Sequence, residues 1–135
     1  MISAEVLITT QFGDVDAMNV VWHGTYVRYL EQARSTLMDK IGYNYLEMNA
    51  SGYVWPIVDL RLRYVRPARL LQEIAVTATL TEFENRLKID YRCRDKATRA
   101  VLTKATSVQV ALTVDTHELC LECPAALVDR VRKLL

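Results

Sequence analysis

Two hydrophobic periods divide this chain. From about Thr25, apolar residues recur at three- and four-residue intervals: Tyr26, Leu30, Ala33, Leu37 and Ile41, with Val27 and Tyr29 widening the stripe. Arg28, Glu31, Gln32, Ser35 and Asp39 take the other positions. The spacing predicts a helix with a broad buried face, ended by a left-handed cap at Gly42. After the Ser51-Gly52 turn the period falls to two. Leu60, Leu62 and Tyr64 alternate with Asp59, Arg61, Arg63 and Val65, and Ile74, Val76, Ala78 and Leu80 with Ala75, Thr77, Thr79 and Thr81. Leu87, Ile89, Tyr91 and Cys93 alternate with Lys88, Asp90, Arg92 and Arg94, and Val108, Val110, Leu112 and Val114 with Ser107, Gln109, Ala111 and Thr113. Each run predicts a strand with one apolar face. Glu5 to Phe12 reads as a further strand ahead of the helix. Pro124 opens a short final helix with Leu127, Val128, Val131, Leu134 and Leu135 on its apolar side.

The order is strand, long helix, four strands, short helix. Neither the helix nor the sheet can bury its apolar face alone, so an α+β fold follows, with an antiparallel sheet curling around the long helix. No internal repeat, low-complexity tract or linker interrupts the pattern, which implies one domain over residues 1–135.

Composition narrows the function classes. Hydrophobic residues at 51% and charged residues at 24% describe a folding chain rather than a disordered one. A net charge of +1 provides no field for nucleic acid. No apolar run reaches the length of a membrane span, and MISAEVLITTQ lacks the layout of a signal peptide, so the expected location is the cytoplasm. Three cysteines, an odd number, are expected as thiols.

The segment richest in chemistry runs from Gln11 to Arg34, QFGDVDAMNVVWHGTYVRYLEQAR. It places Asp14 and Asp16 in a tight loop ahead of the helix N-terminus, where unpaired backbone N–H groups gather around His23, Gly24 and Thr25. Such an end can hold a carbonyl oxygen as it becomes an oxyanion, while a carboxylate attacks or activates water. Aspartates in such a loop also simply shape it or cap the helix. Local chemistry leaves both readings open.

The same segment resembles the signature of the 4-hydroxybenzoyl-CoA thioesterase-like family of hot-dog acyl-CoA hydrolases. That signature runs approximately F-x-D-x-D-x-x-G-V-V-a-H-x-x-Y, where "a" is aromatic, and leads into a helix bearing E-x-A-R. Phe12, Asp14, Asp16, Val20, Val21, Trp22, His23 and Tyr26 match it, followed by Glu31, Ala33 and Arg34. Tyr64-Val65-Arg66-Pro67-Ala68 is similar to the family's Y-x-x-P-A, and Asp115 and Pro124 also fit. The resemblance implies a hot-dog fold, a five-stranded antiparallel sheet around the long helix with a short C-terminal helix. It implies Asp16 as nucleophile or general base and the backbone N–H of His23 as the group that polarises the thioester carbonyl. Trp22 and Tyr26, with Trp55, are candidates for an acyl pocket, and Arg66 and Arg86 for the coenzyme A phosphates. It further implies a homodimer or homotetramer with acyl-CoA as substrate and no cofactor, since coenzyme A arrives with the substrate. Alternative readings are an acyl carrier protein thioesterase and a non-catalytic acyl-CoA-binding module.

The chain departs from the signature in places. Asn19 stands where the family usually has glycine, and asparagine tolerates left-handed backbone angles. Thr25 replaces a frequent asparagine, and Leu70-Leu71-Gln72 replaces a Gly-Asp turn. Glu84-Asn85-Arg86 occupies the place of a basic run in some relatives, so Arg86 is its one match. Glu31 is expected in an ion pair with Arg28 or Arg34 at helical spacing. His117, Cys120 and Cys123 offer three of the four ligands a structural zinc site needs, so no metal is expected.

Overall fold

A computed structural model describes all residues, Met1–Leu135. The chain opens with β1 (Ser3–Thr9), a single 3-10 turn (Phe12–Asp14) and α1 (Thr25–Ile41). A second helix, α2 (Tyr45–Ser51), and a two-residue strand, β2 (Tyr53–Val54), follow. Then come β3 (Ile57–Tyr64), β4 (Glu73–Glu82), β5 (Leu87–Asp95) and β6 (Val101–Gln109), before β7 (Leu112–Thr113) and α3 (Ala125–Arg132). The main sheet has the order β1-β4-β5-β6-β3 and is antiparallel throughout. It wraps α1, which gives the expected hot-dog architecture.

The helix stripe and the sheet alternation meet in one core. Tyr26, Tyr29, Leu30, Ala33, Leu37 and Met38 of α1 are buried, and so are the inward residues Leu87, Ile89, Tyr91 and Cys93 of β5. Gly42 ends α1 at φ 83°, its N–H donating to the carbonyls of Met38 and Asp39, so the predicted left-handed cap is present. The direction of α1 matters for the site. Its N-terminus lies at the end of the sheet where Thr9 pairs with Glu73, while Lys40 near its C-terminus donates to the Ser3 carbonyl at the other end.

Three elements differ from the sequence pattern. The first strand is Ser3–Thr9, and Phe12 turns outward, 85% exposed, in the 3-10 turn. The last long strand is Val101–Gln109 instead of the stretch around Val108 to Val114. Strand β6 sits between β5 and β3, and Leu102, Thr103, Ser107, Val108 and Gln109 are all buried, so its faces do not alternate in polarity. The alternating residues beyond it break away at Val110, and Leu112–Thr113 pairs with β2. Helix α2 has too few turns to show a period. Its marks are the Asn44–Glu47 capping box and Gly52 at φ 87°.

Strand β3 is an edge strand, and Leu60, Tyr64 and Val65 remain more than a third exposed, as do Ile57 and Val58. An unpaired edge of this length, with exposed apolar residues between its charges, is a surface that usually acquires a cover.

Candidate active site

The two aspartates of the loop have separate roles. Asp14 is the anchor: its carboxylate accepts from the Gln11 N–H (2.8 Å), the Tyr29 hydroxyl (2.9 Å) and the Arg28 guanidinium (3.0 Å). Its carbonyl accepts from the Trp22 N–H and the Thr25 hydroxyl. Burial and the bond to Asp14 hold the Tyr29 phenol well above its usual pKa, so Tyr29 stays a donor. Asp14 thereby ties the loop to the first turn of α1.

Asp16 lies two residues on, at the base of a small hairpin closed by the bridge between Val15 and Val21. Its Oδ1 accepts the Met18 N–H at 2.9 Å, and no side-chain donor or ion-pair partner engages the carboxylate. The hairpin turns at Asn19, φ 63°, where the family pattern has glycine. Asparagine there meets the left-handed requirement at low steric cost. Asp16 lines a cleft of about 500 Å³ together with Gly13, Trp22, Gly24, Thr25 and Val27.

Across this cleft stands the start of α1. The N–H groups of His23 and Gly24 have no protein acceptor, yet both peptides are fixed from behind. The Trp22 carbonyl accepts from the Thr25 N–H at 2.9 Å, and the His23 carbonyl accepts the Tyr64 hydroxyl at 2.8 Å. A trans peptide directs its N–H opposite its C=O, so these bonds set the orientation of two adjacent free donors. Gly24 is required for a packing reason: a Cβ there would run into the indole of Trp22. The Trp22 indole, half exposed and 4.8 Å from the His23 ring between centroids, is folded over the helix start.

The remaining candidates fall into three places. Tyr26 belongs to the core rather than the cleft: it is 3% exposed and meets Tyr64 edge-on at 5.5 Å, because its position on α1 faces the sheet. Arg66 is exposed on the segment following β3, close in sequence to Ala68 and Arg69, whose backbones pair with Val21 and Val20. Arg86 sits on the turn between β4 and β5, ion-paired with Glu82 at 2.9 Å. That turn is at the far end of the ten-residue β4, roughly 30 Å from the Asp16 end of the sheet. Within one chain Arg86 does not reach the cleft. Nothing in the sequence pattern marks Tyr64 as a neighbour of the loop, although the Tyr64–Ala68 motif contains it and the edge-strand position leaves its hydroxyl free to reach the His23 carbonyl.

This arrangement provides a free carboxylate, two oriented N–H donors and an apolar wall around a cleft. That is the equipment for attack on a carbonyl whose oxygen becomes anionic. Residues 10–131 match the thioesterase-like superfamily. The chain belongs to that superfamily.

Among relatives, it is similar to "Putative esterase sll0410" of Synechocystis sp., 30% identical over 110 residues, covering 78% of this chain and 66% of that protein. It is also similar to "Putative acyl-CoA thioesterase YneP" of Bacillus subtilis, 31% identical over 84 residues, covering 62% of this chain and 60% of that one. The matched region thus spans slightly under two thirds of each relative's length. Its fold superposes on a crystal structure of 4-hydroxybenzoyl CoA thioesterase complexed with 4-hydroxybenzoyl CoA. The TM-score is 0.83 with 20% identity, over 96% of this chain and 99% of the other.

Elsewhere in this thioesterase-like chain, other sequence candidates take structural places. Cys93 is in the core, where burial pushes its thiol up to about 12, and burial likewise raises Cys123 to about 11. His117, Cys120 and Cys123 do not converge into a metal-ligand group. Glu31 pairs with Arg34 at helical spacing, as the sequence predicts. A larger hollow than the Asp16 cleft, a cavity of about 890 Å³, lies against the C-terminal half of α1.

Proposed function

We propose that the protein hydrolyses an acyl-CoA thioester to a free acid and coenzyme A. The observation that carries this reading is the Asp16 carboxylate, free of cationic partners, lining the same cleft as the start of α1 with its two unpaired N–H groups. The thioester carbonyl oxygen would lie against the His23 and Gly24 N–H groups, which stabilise it as charge develops. Asp16 then either attacks the carbonyl carbon, forming an anhydride that water opens, or removes a proton from the attacking water. In both cases the electron pair of the C–S bond leaves on sulfur, and a thiolate departs without a strong acid. Membership of the thioesterase-like superfamily supports the reading, as does the name of the Bacillus relative.

The working unit in this proposal is a dimer or larger, with the apolar edge of β3 covered by a second copy. Arg66 would meet the phosphates of coenzyme A beside its own cleft, where the planar guanidinium suits phosphate oxygens. Arg86, at the other end of the sheet, could serve only the cleft of a neighbouring subunit.

The test is release of free thiol from a panel of acyl-CoA thioesters by the parent and by Asp16→Asn. Turnover by the parent that is lost in the variant supports the assignment. Tight acyl-CoA binding without thiol release from any member would show a binding module, and release from acyl carrier protein thioesters alone would move the substrate to that class.

A further inference from the structure

The Asp16 cleft and the 890 Å³ cavity lie on the same flank of α1. Val27 lines the cleft, Arg34, Ser35 and Met38 line the cavity, and Glu31 stands one turn from Val27 and one from Ser35. Residues spaced three and four apart share one helix face, so these side chains form one continuous stripe. A second wall faces the same space. On β3, Tyr64, Leu62 and Leu60 alternate with the outward Arg63 and Arg61. They share the face that packs toward α1, because Tyr64 meets Tyr26 and Leu62 packs against the core. This apolar wall begins where Tyr64 holds the His23 carbonyl. It ends where Ile57 pairs with Gln109, whose side chain lines the cavity beside Trp55 and Pro56.

The cavity's exposed wall area is mainly apolar, although Asn44, Asn49, Gln109 and His117 also line it. Its lining includes Met38, Met48, Tyr53, Val54, Trp55 and Leu112, and the exposed Leu46 stands at its edge on α2. Trp55 is held in place by its own indole N–H donating to the Tyr43 hydroxyl at 3.1 Å. Where the stripe crosses a charge, Glu31 is ion-paired with Arg34, which also donates to the Tyr45 hydroxyl at 3.1 Å. A neutralised pair is passable to a hydrocarbon chain in a way that a bare carboxylate is not.

Length decides which acyl groups could use it. From Gly24 to Arg34, ten residues along α1, the helix rises roughly 15 Å at 1.5 Å per residue. An extended chain advances roughly 1.2 Å per bond, so about a dozen bonds separate the scissile carbonyl from the cavity. Short aliphatic and single-ring aromatic acyl groups would end before it.

We infer that the cavity is the distal acyl subsite, and that the protein acts on long-chain fatty acyl thioesters, of about twelve carbons or more. The inference rests on the thioesterase reading of the Asp16 cleft, and two measurements separate their fates. The first compares butanoyl-, hexanoyl-, dodecanoyl- and hexadecanoyl-CoA as substrates of the parent and of Val54→Phe and Leu112→Phe, which fill the cavity from β2 and β7. The expected result is that kcat/KM for the two long substrates exceeds that for butanoyl-CoA by about tenfold or more in the parent and falls by about tenfold in the variants. Turnover of butanoyl-CoA should be unchanged, which also shows that the variants fold. The second measurement is calorimetric titration of Asp16→Asn with dodecanoyl-CoA and butanoyl-CoA. The long chain should bind at least about tenfold more tightly, and adding Val54→Phe should remove that margin. If binding shows the margin while the parent hydrolyses nothing, the thioesterase reading falls and the subsite stands. If neither turnover nor binding depends on chain length, or the fillings affect all lengths alike, the subsite is overturned. That would be the outcome if a second copy of the chain occupied the cavity.

Discussion

The hydroxyl of Tyr64, on the edge strand β3, donates to the main-chain carbonyl of His23 at 2.8 Å, across forty-one residues of sequence. This bond fixes the peptide whose N–H belongs to Gly24, one of the two unpaired donors at the start of α1. In the proposed mechanism Tyr64 is a positioning residue, acting through a peptide rather than on substrate. Tyr64→Phe keeps the ring against Tyr26 and removes only the hydroxyl. We expect kcat to fall by about tenfold with little change in KM, since the lost alignment matters most when the oxygen carries charge. Steady-state kinetics on one acyl-CoA decides it; a rise in KM at constant kcat would make Tyr64 a binding residue.

Asp16 and Asp14 should separate cleanly. Asp16→Asn is expected to lower kcat by about a thousandfold or more while leaving the melting temperature near that of the parent, because its carboxylate makes one backbone hydrogen bond. Asp14→Asn loses the anchor for Tyr29 and Arg28 and should cost about 1–3 kcal/mol of stability, read from urea unfolding. Greater destabilisation at Asp16 than at Asp14 would reverse the two roles.

Association should depend on β3. Val58 is 57% exposed on this edge, so Val58→Lys costs the isolated fold little and places a desolvated charge in any interface built there. The parent is expected to sediment as a dimer or larger at micromolar concentration and the variant as a smaller species. An active, monodisperse parent monomer would contradict the shared-edge picture.

Alkaline pH should weaken the fold through two buried groups. Burial raises both the Cys93 thiol and the Tyr91 phenol to about 12, above their ordinary values. From about pH 8.5 upward the unfolded chain releases the thiol proton, and from about pH 10 the phenol proton, while the folded chain retains both. The unfolded state then binds fewer protons, so stability declines with rising pH. Urea midpoints measured between neutral and strongly alkaline pH should show this decline, and Cys93→Ala should make it shallower. Identical slopes in the two proteins would remove Cys93 from the account.

The long helix, its glycine cap and the alternating strands β4 and β5 were legible because each has one apolar face and one wet face. Strand β6 was placed late because its buried inward face carries the polar Thr103, Ser107 and Gln109, so burial does not follow polarity and leaves no hydrophobic period to read. Asp16, His23 and Asn19 could be singled out because the loop signature is contiguous. The roles of Tyr64 and of Tyr26 were hidden for the opposite reason. What they do is set by the return of a distant edge strand to the loop, and spacing along the chain carries no record of that contact. Arg86 matched a motif position, yet its strand carries it away from the cleft of its own subunit.

The loop bearing Asp16 is stitched to the segment around Ala68 by several long-range bonds. Val21 donates to the Ala68 carbonyl, Thr10 pairs with Gln72, and Val20 bridges Arg69. None of these can form until the segment after β3 has come back to the loop, which closes loops of roughly fifty to sixty residues. Contacts of such separation form late in folding. The cleft should then be among the last regions to gain protection from amide exchange during refolding, after the core of α1, β4 and β5. Newly made chains would hold α1 and the local β4–β5 hairpin while the cleft is still open to solvent.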